Sequence, residues 1–119
     1  MDGELSFIEI GVGDPERGRK FYEGLFGWTF EPGPGASGYG ISGLNVGAGI
    51  HGGDEGAHPY VFFEVADIDA AAARVRELGG EIGDDVGGES EESAAQFGRF
   101  LLCRDDQGSH FGLHQPPPG

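Results

Sequence analysis

The chain has 119 residues and a formal net charge of −14, from 7 Lys and Arg against 21 Asp and Glu. This length allows one domain of ordinary size, or two small repeated halves that share a core. The acidic balance argues against nucleic acids and anionic membranes, because phosphate binding requires clustered Lys and Arg. A single cysteine, Cys103, excludes an internal disulfide framework and a cysteine zinc cluster. The opening MDGELSFIEI gives no hint of secretion, and no stretch approaches the length of an apolar membrane span, so a cytoplasmic protein is expected.

The first half has the pattern strand–helix–strand–strand–strand. Asp14 is suited to cap the helix, Pro15 fits the first helical position, and Gly27 fits the position after the last turn. In chain order, we predict a strand at Phe7–Val12, a helix from Pro15 that ends at Gly27, and strands at Trp28–Glu31, Gly38–Ser42 and Asn45–His51.

The second half repeats this pattern after a shift of 53 residues, which aligns Phe7–Trp28 with Tyr60–Glu81. The acidic stretch Gly83–Ser93 is expected to form a mobile loop. The predicted elements are a strand at Tyr60–Val65, a helix that begins after Asp67 and ends at Gly79 and Gly80, and strands at Glu81–Val86, Gln96–Arg104 and Ser109–His114.

These elements predict an α+β fold of two tandem βαβββ modules, residues 5–52 and 58–115, within a single domain of residues 1–119. The modules are expected to form curved mixed sheets around a concave cavity, where a small molecule can bind. The helices offer apolar faces: Phe21, Tyr22, Leu25 and Phe26 in the first, and Ile68, Ala71, Ala72, Val75 and Leu78 in the second. Alternation predicts that Ile8, Ile10, Val12, Val61, Phe63 and Val65 face the helices and that Phe7, Glu9, Gly11, Tyr60, Phe62 and Glu64 face the other way.

This arrangement resembles the vicinal oxygen chelate superfamily, which includes glyoxalases, extradiol dioxygenases, methylmalonyl-CoA epimerases and bleomycin-resistance proteins. The resemblance extends from about Leu5 to His114. The residues that carry it are Phe7–Asp14 with Phe21, Tyr22 and Leu25–Trp28, then Tyr60–Asp67 with Leu78–Gly80, and finally Arg99–Gly108 with Phe111–Leu113. Asp106 departs from the proline that relatives often have in this last turn.

The resemblance implies four positions for metal ligands, and here they hold Phe7, Gly49, Tyr60 and Gly112. Divalent ions in such sites require imidazole or carboxylate ligands, so we expect no metal and no other cofactor. A displaced metal site remains as an alternative, built from Glu9 or Glu64 with one histidine from each half.

The expected ligand-binding residues are aromatic side chains with a few polar groups among them: Phe7, Glu9, Trp28, His51, Tyr60, Phe62, His110 and His114. Each aromatic residue has a packing role as its alternative, and Trp28 in particular could simply pack the sheet. Each histidine could be a surface or hydrogen-bonded residue. Glu9 is the candidate catalytic residue, because a buried carboxylate either has a raised pKa and acts as a general base or pairs with a cationic partner.

The preferred function is metal-independent binding of a small aromatic or hydrophobic organic molecule, similar to sequestration by the bleomycin-resistance branch and its role in antibiotic resistance. The alternative is an enzyme of the superfamily, an isomerase, lyase or dioxygenase. It would be metal-free with Glu9 as the general base, or it would use the displaced metal site. A homodimer is expected, because open sheets leave exposed edges and an incomplete cavity.

Overall fold

The computed structural model describes residues 2–33, 38–86 and 91–118. In chain order, the elements are β1 (Leu5–Gly11), α1 (Pro15–Phe26), β2 (Thr29–Pro32), β3 (Gly38–Ser42), β4 (Gly47–His51), β5 (Tyr60–Glu64), α2 (Ile68–Glu77), β6 (Glu81–Val86), α3 (Glu91–Phe97), β7 (Arg99–Arg104) and β8 (His110–Gln115). No described helix has the length and apolar character needed to cross a membrane.

The chain divides into two compact units, Phe7–Tyr60 and Met1–Ser6 with Val61–Gly119. In the first unit the strand order is β2-β3-β4-β1, and β1 is parallel to β4 while the other pairs are antiparallel. In the second unit the order is β6-β7-β8-β5, and β5 is parallel to β8 while the other pairs are antiparallel. The same order in both units confirms the α+β class and the repeated βαβββ pattern.

Both predicted helix starts are confirmed. The Asp14 carboxylate accepts hydrogen bonds from the backbone N–H groups of Glu16 and Arg17, at 3.0 and 3.4 Å. The Asp67 carboxylate accepts one from Ala70 N–H at 3.1 Å. Each cap satisfies donors that the first turn leaves without a partner inside the helix. At the other end of α1, Gly27 has a φ of 75°, which favours glycine.

The core of the first unit confirms the predicted strand face. Ile10 and Ile50 are buried in one apolar cluster, with Ile8 and Val12 packed against it. The predicted face of α1 is wrong for Phe21, Leu25 and Phe26, which are exposed. The helix instead approaches the sheet at Gly18, where a Cβ atom would lie 2.8 Å from Cδ1 of Ile50. A glycine at the contact lets the helix backbone lie close to the strands.

The core of the second unit lies between α2 and its sheet. Val65, Ile68 and Ala72 are buried there with Leu101, Cys103 and Leu113. Burial raises the pKa of the Cys103 thiol to about 11. Leu78 was expected on this face but is 60% exposed, because α2 ends at Glu77, one residue before it.

The segment before β7 differs from the sequence prediction. α3 occupies Glu91–Phe97, where the sequence predicted the end of a loop followed by the start of a strand. β7 therefore begins at Arg99 rather than at Gln96. Between the two, Gly98 has a φ of 90°, a conformation that glycine adopts without strain. Residues 87–90 of the predicted acidic loop lie outside the described residues.

Candidate functional site

The site in the first unit lies on the sheet face opposite α1, at the parallel pair of β1 and β4. Glu9 is paired with Gly49, and Gly11 is paired with His51. Because strand side chains alternate, a large polar side chain on one strand stands beside a glycine on the other. This arrangement brings the Glu9 carboxylate and the His51 ring together from strands that are far apart in the sequence.

Four polar side chains form one hydrogen-bonded chain. Glu9 Oε2 lies 2.6 Å from His51 Nδ1, and Asp54 Oδ2 lies 2.8 Å from His51 Nε2. The Tyr60 hydroxyl donates to the same Asp54 oxygen at 2.8 Å. The Tyr60 and His51 rings are stacked, with centroids 6.0 Å apart. The structure therefore brings together Glu9, His51 and Tyr60 from the predicted set and adds Asp54, which the sequence analysis missed.

The two carboxylates favour the charged form of His51. The hydrogen bond to Glu9 raises the pKa of His51 first of all, and the bond to Asp54 raises it further, while burial opposes both. The same contact with His51 lowers the pKa of Asp54, and Asp54 raises the pKa of the Tyr60 hydroxyl. In the protonated ring both nitrogen atoms donate to carboxylates, which leaves no ring lone pair for a metal ion.

Two glycines provide the space for these carboxylates. A Cβ atom on Gly49 would lie 2.7 Å from Glu9 Oε1, and one on Gly11 would collide with Asp54 Oδ2. Neither glycine has a φ in the left-handed region. Their role at these positions is therefore to leave room, since any larger side chain would turn a carboxylate away from His51.

In the second unit, the position that matches Glu9 holds an aromatic residue. Phe62 is paired with Gly112, and its ring fills the space that a Cβ atom of Gly112 would need. Phe62 is fully buried and packs edge-on against Phe100, with ring centroids 5.1 Å apart. His114 stacks on the other ring of this pair, since its centroid lies 4.3 Å from that of Phe100 at an interplanar angle of 6°.

His114 makes two hydrogen bonds to uncharged groups. Its Nε2 lies 2.7 Å from the backbone carbonyl oxygen of Phe97, and its Nδ1 lies 2.7 Å from the hydroxyl of Ser6. A carbonyl can only accept, so Nε2–H donates to Phe97, and in the neutral ring Nδ1 then accepts from the Ser6 hydroxyl. This pattern fits the neutral ring. Burial, the largest cause, lowers the pKa of His114.

The remaining predicted residues are placed in different surroundings. Trp28 packs in the apolar cluster on the α1 side, stacked on Tyr22 with ring centroids 5.6 Å apart, and so takes the packing role that the sequence left open. Phe7 is buried and is not part of that cluster. His110 is exposed at the start of β8, opposite Arg104. None of the three joins the hydrogen-bonded chain of His51.

The family model for the glyoxalase/bleomycin resistance protein/dioxygenase superfamily matches residues 4–113. The chain belongs to this superfamily. No curated protein matches it. The superfamily model covers both repeats, so it confirms the resemblance drawn from the sequence.

Several solved structures are similar to the chain. A methylmalonyl-CoA epimerase from Mycobacterium tuberculosis has a TM-score of 0.63 and 17% identity, over 97% of this chain and 89% of that chain. A hypothetical protein from Bacillus halodurans C-125 has a TM-score of 0.69 and 15% identity, over 98% and 96%. A catechol 2,3-dioxygenase has a TM-score of 0.64 and 13% identity, over 98% and 40%. At these identities the likeness concerns the fold.

Of the four positions that the resemblance assigns to metal ligands, three hold residues that cannot bind a metal ion. Gly49 and Gly112 have no donor atom, and the space beside them holds the side chains of Glu9 and Phe62. Phe7 has no ligating atom either. Among the residues whose side chains the structure describes, no group of three or more His, Cys, Asp or Glu is arranged to hold a metal ion. The displaced metal site therefore finds no support among the described residues.

Proposed function

We propose that the chain binds a small aromatic or hydrophobic organic molecule without a metal ion, and that Glu9, His51 and Tyr60 contribute to the binding surface. One observation carries this proposal. Glu9 lies over Gly49 and is held by His51, so a fixed hydrogen-bonding group stands where the superfamily's chelating members would have a ligand.

The exposure of the cluster supports binding. The side chains of His51 and Asp54 are 30% and 33% exposed, and that of Glu9 is 17% exposed. A polar group held in place by neighbours can orient a ligand at little entropic cost. The ring of Tyr60 adds an aromatic surface on which a flat molecule stacks.

A thermal-shift screen of aromatic natural products, with and without EDTA, tests this proposal. We expect at least one compound to raise the melting temperature equally in both conditions, because a ligand that binds the folded state stabilises it. Tyr60→Ala should reduce that shift, whereas Leu25→Ser on the exposed side of α1 should leave it unchanged. The proposal fails if no compound stabilises the protein, or if EDTA abolishes the stabilisation.

A second candidate function, metal-free proton transfer, is favoured by one feature of Glu9. Oε2 is engaged by His51, but Oε1 accepts no hydrogen bond from the part of the chain that the structure describes. This oxygen could take a proton from a bound molecule. Against this role, His51 already holds the other oxygen of the same carboxylate.

Solvent deuterium uptake separates the two candidates. Each stabilising compound is incubated with the protein in deuterated water and examined by mass spectrometry. The binding proposal predicts unchanged mass and unchanged structure of the compound. Deuterium uptake at carbon that disappears in Glu9→Gln would instead establish the proton-transfer enzyme.

A further inference from the structure

The connection between β4 and β5 folds back against the end of β1. Val12 N–H donates to the His51 carbonyl at 2.9 Å, and Asp54 N–H donates to the Val12 carbonyl at 2.9 Å. Gly53 N–H donates to the carbonyl of Gly13 at 3.1 Å. These bonds place the start of the connection beside the chain that leaves β1.

The Asp54 side chain adds the contacts that join this connection to the sheet face. One oxygen, Oδ2, accepts from both His51 and the Tyr60 hydroxyl. The absence of a side chain at Gly11 lets this oxygen lie against β1. Through the His51 ring, the position of Asp54 is linked to that of Glu9, whose Oε2 lies 2.6 Å from the opposite nitrogen.

Both links depend on the number of protons on the ring. The charged ring has two N–H donors, one for each carboxylate, whereas the neutral ring has one. The titratable groups that face the ring are Glu9 from β1, Asp54 from the connection and Tyr60 from β5. β3 places Gly38 opposite His51, and residues 34–37 contain no titratable side chain. When the ring loses its second proton, one carboxylate is left without its donor.

We propose that Asp54 is the positioning residue of a pH-sensitive fastening, in which the protonated His51 ring holds both the β4–β5 connection and the Glu9 carboxylate in place. The fastening is closed while the ring is protonated and loosens as the ring loses its second proton. It is a property of the chain without ligand. Any effect of the fastening on ligand access to the sheet face that carries Glu9 rests on the proposed binding function.

Amide hydrogen exchange and ring 15N shifts, followed by NMR from about pH 6 to about pH 9, test the fastening. We expect the protection of the Gly53 and Asp54 amides, corrected for intrinsic exchange, to fall about tenfold or more as His51 deprotonates. The amide of Gly27, bonded to Glu23 at the end of α1, is the control and should not change.

Two variants separate positioning from a general structural role. In Asp54→Asn, His51 should titrate at lower pH and the two amides should be unprotected across the range. Gly11→Ala keeps every charge but displaces the Asp54 carboxylate, so it should give the same result if Asp54→Asn fails to fold. Tyr60→Phe should keep the pH-dependent step, because both carboxylates remain.

The fastening is overturned if amide protection stays constant through the His51 titration, or if His51 titrates at the same pH in wild type and in both Asp54→Asn and Gly11→Ala. These measurements use no ligand. Their failure would leave the binding proposal intact, and an unsuccessful ligand screen would leave the fastening intact.

Discussion

The first unit places His51 between two carboxylates, whereas the second unit places His114, the matching residue 63 positions later, between a hydroxyl and a backbone carbonyl. Each histidine lies at the end of a strand or one residue before it, and that strand runs parallel to the first strand of its module. The carboxylates raise the pKa of His51, and burial lowers the pKa of His114. Equivalent positions in one repeated fold thus hold histidines whose pKa values are shifted in opposite directions.

The neighbouring strand contributes to this difference. Glu9 and Phe62 are also matching residues, 53 positions apart, and each lies beside a glycine of the closing strand. In the first unit that residue provides a charge to the histidine. In the second unit it packs against Phe100, whose ring covers His114. The residue type at this one position of the first strand therefore helps to determine whether the site is polar or is filled by packed aromatic rings.

The largest effect on stability is expected from comparing the buried Phe62 of the second unit with the partly exposed Glu9 of the first unit. Phe62→Ala should lower the free energy of unfolding by about 3–5 kcal/mol, because the ring is fully buried and its loss leaves a cavity. Glu9→Ala should cost less, about 1–3 kcal/mol, the range for losing a charged hydrogen-bond partner. Urea unfolding of both variants measures the difference, and equal losses would contradict the contrast between a packed and a polar site.

An intermediate effect on stability is expected from adding a methyl group at the glycine beside Glu9 or at the glycine beside Phe62. Gly112→Ala should destabilise the protein by about 1–3 kcal/mol, because the added methyl group collides with the buried ring of Phe62. Gly49→Ala should cost less, since it meets the end of the flexible Glu9 side chain at 2.7 Å. Thermal unfolding compares the two, and a larger loss for Gly49→Ala would show that the Glu9 carboxylate cannot turn.

The smallest effect concerns pH. Wild type should have a larger free energy of unfolding than His51→Gln. The difference should be greatest below about pH 6.5, the ordinary histidine pKa, and should shrink as the pH rises through the raised pKa of His51. For His114 the opposite is expected. The free energy of unfolding of wild type should fall relative to that of His114→Gln as the pH falls below about 6.5, because the lowered pKa of His114 means that the folded state prefers the neutral ring.

Denaturant unfolding at a series of pH values provides the measurement. If both stability differences change in the same direction with pH, the opposite tuning of the two histidines is wrong.

Much of the fold could be predicted from the sequence, because its signals are local. Alternation placed Ile8 and Ile10 on the helix side and Glu9 on the other, and the aspartate caps marked both helix starts. The face of α1 was missed for a physical reason. The buried residue of α1 that faces the sheet is Gly18, which has no side chain and hence no hydrophobic signal.

The site could be predicted only in part. The sequence left open whether Glu9 acts as a base or pairs with a cationic partner, and the pairing with His51 depends on the register of β1 and β4. Asp54 was missed because it lies in a glycine-rich connection. A signal was nevertheless present, since the turn through Gly52 and Gly53 returns the Asp54 carboxylate to the His51 ring three residues earlier.

Cys103 has a practical consequence for experiments on this protein. It is the one cysteine of the sequence, it is 2% exposed, and its thiol has a pKa of about 11. Alkylating reagents require an accessible thiolate, so they modify Cys103 at neutral pH chiefly in molecules whose second unit has opened. The rate of alkylation therefore measures how often the second unit opens, without an introduced label.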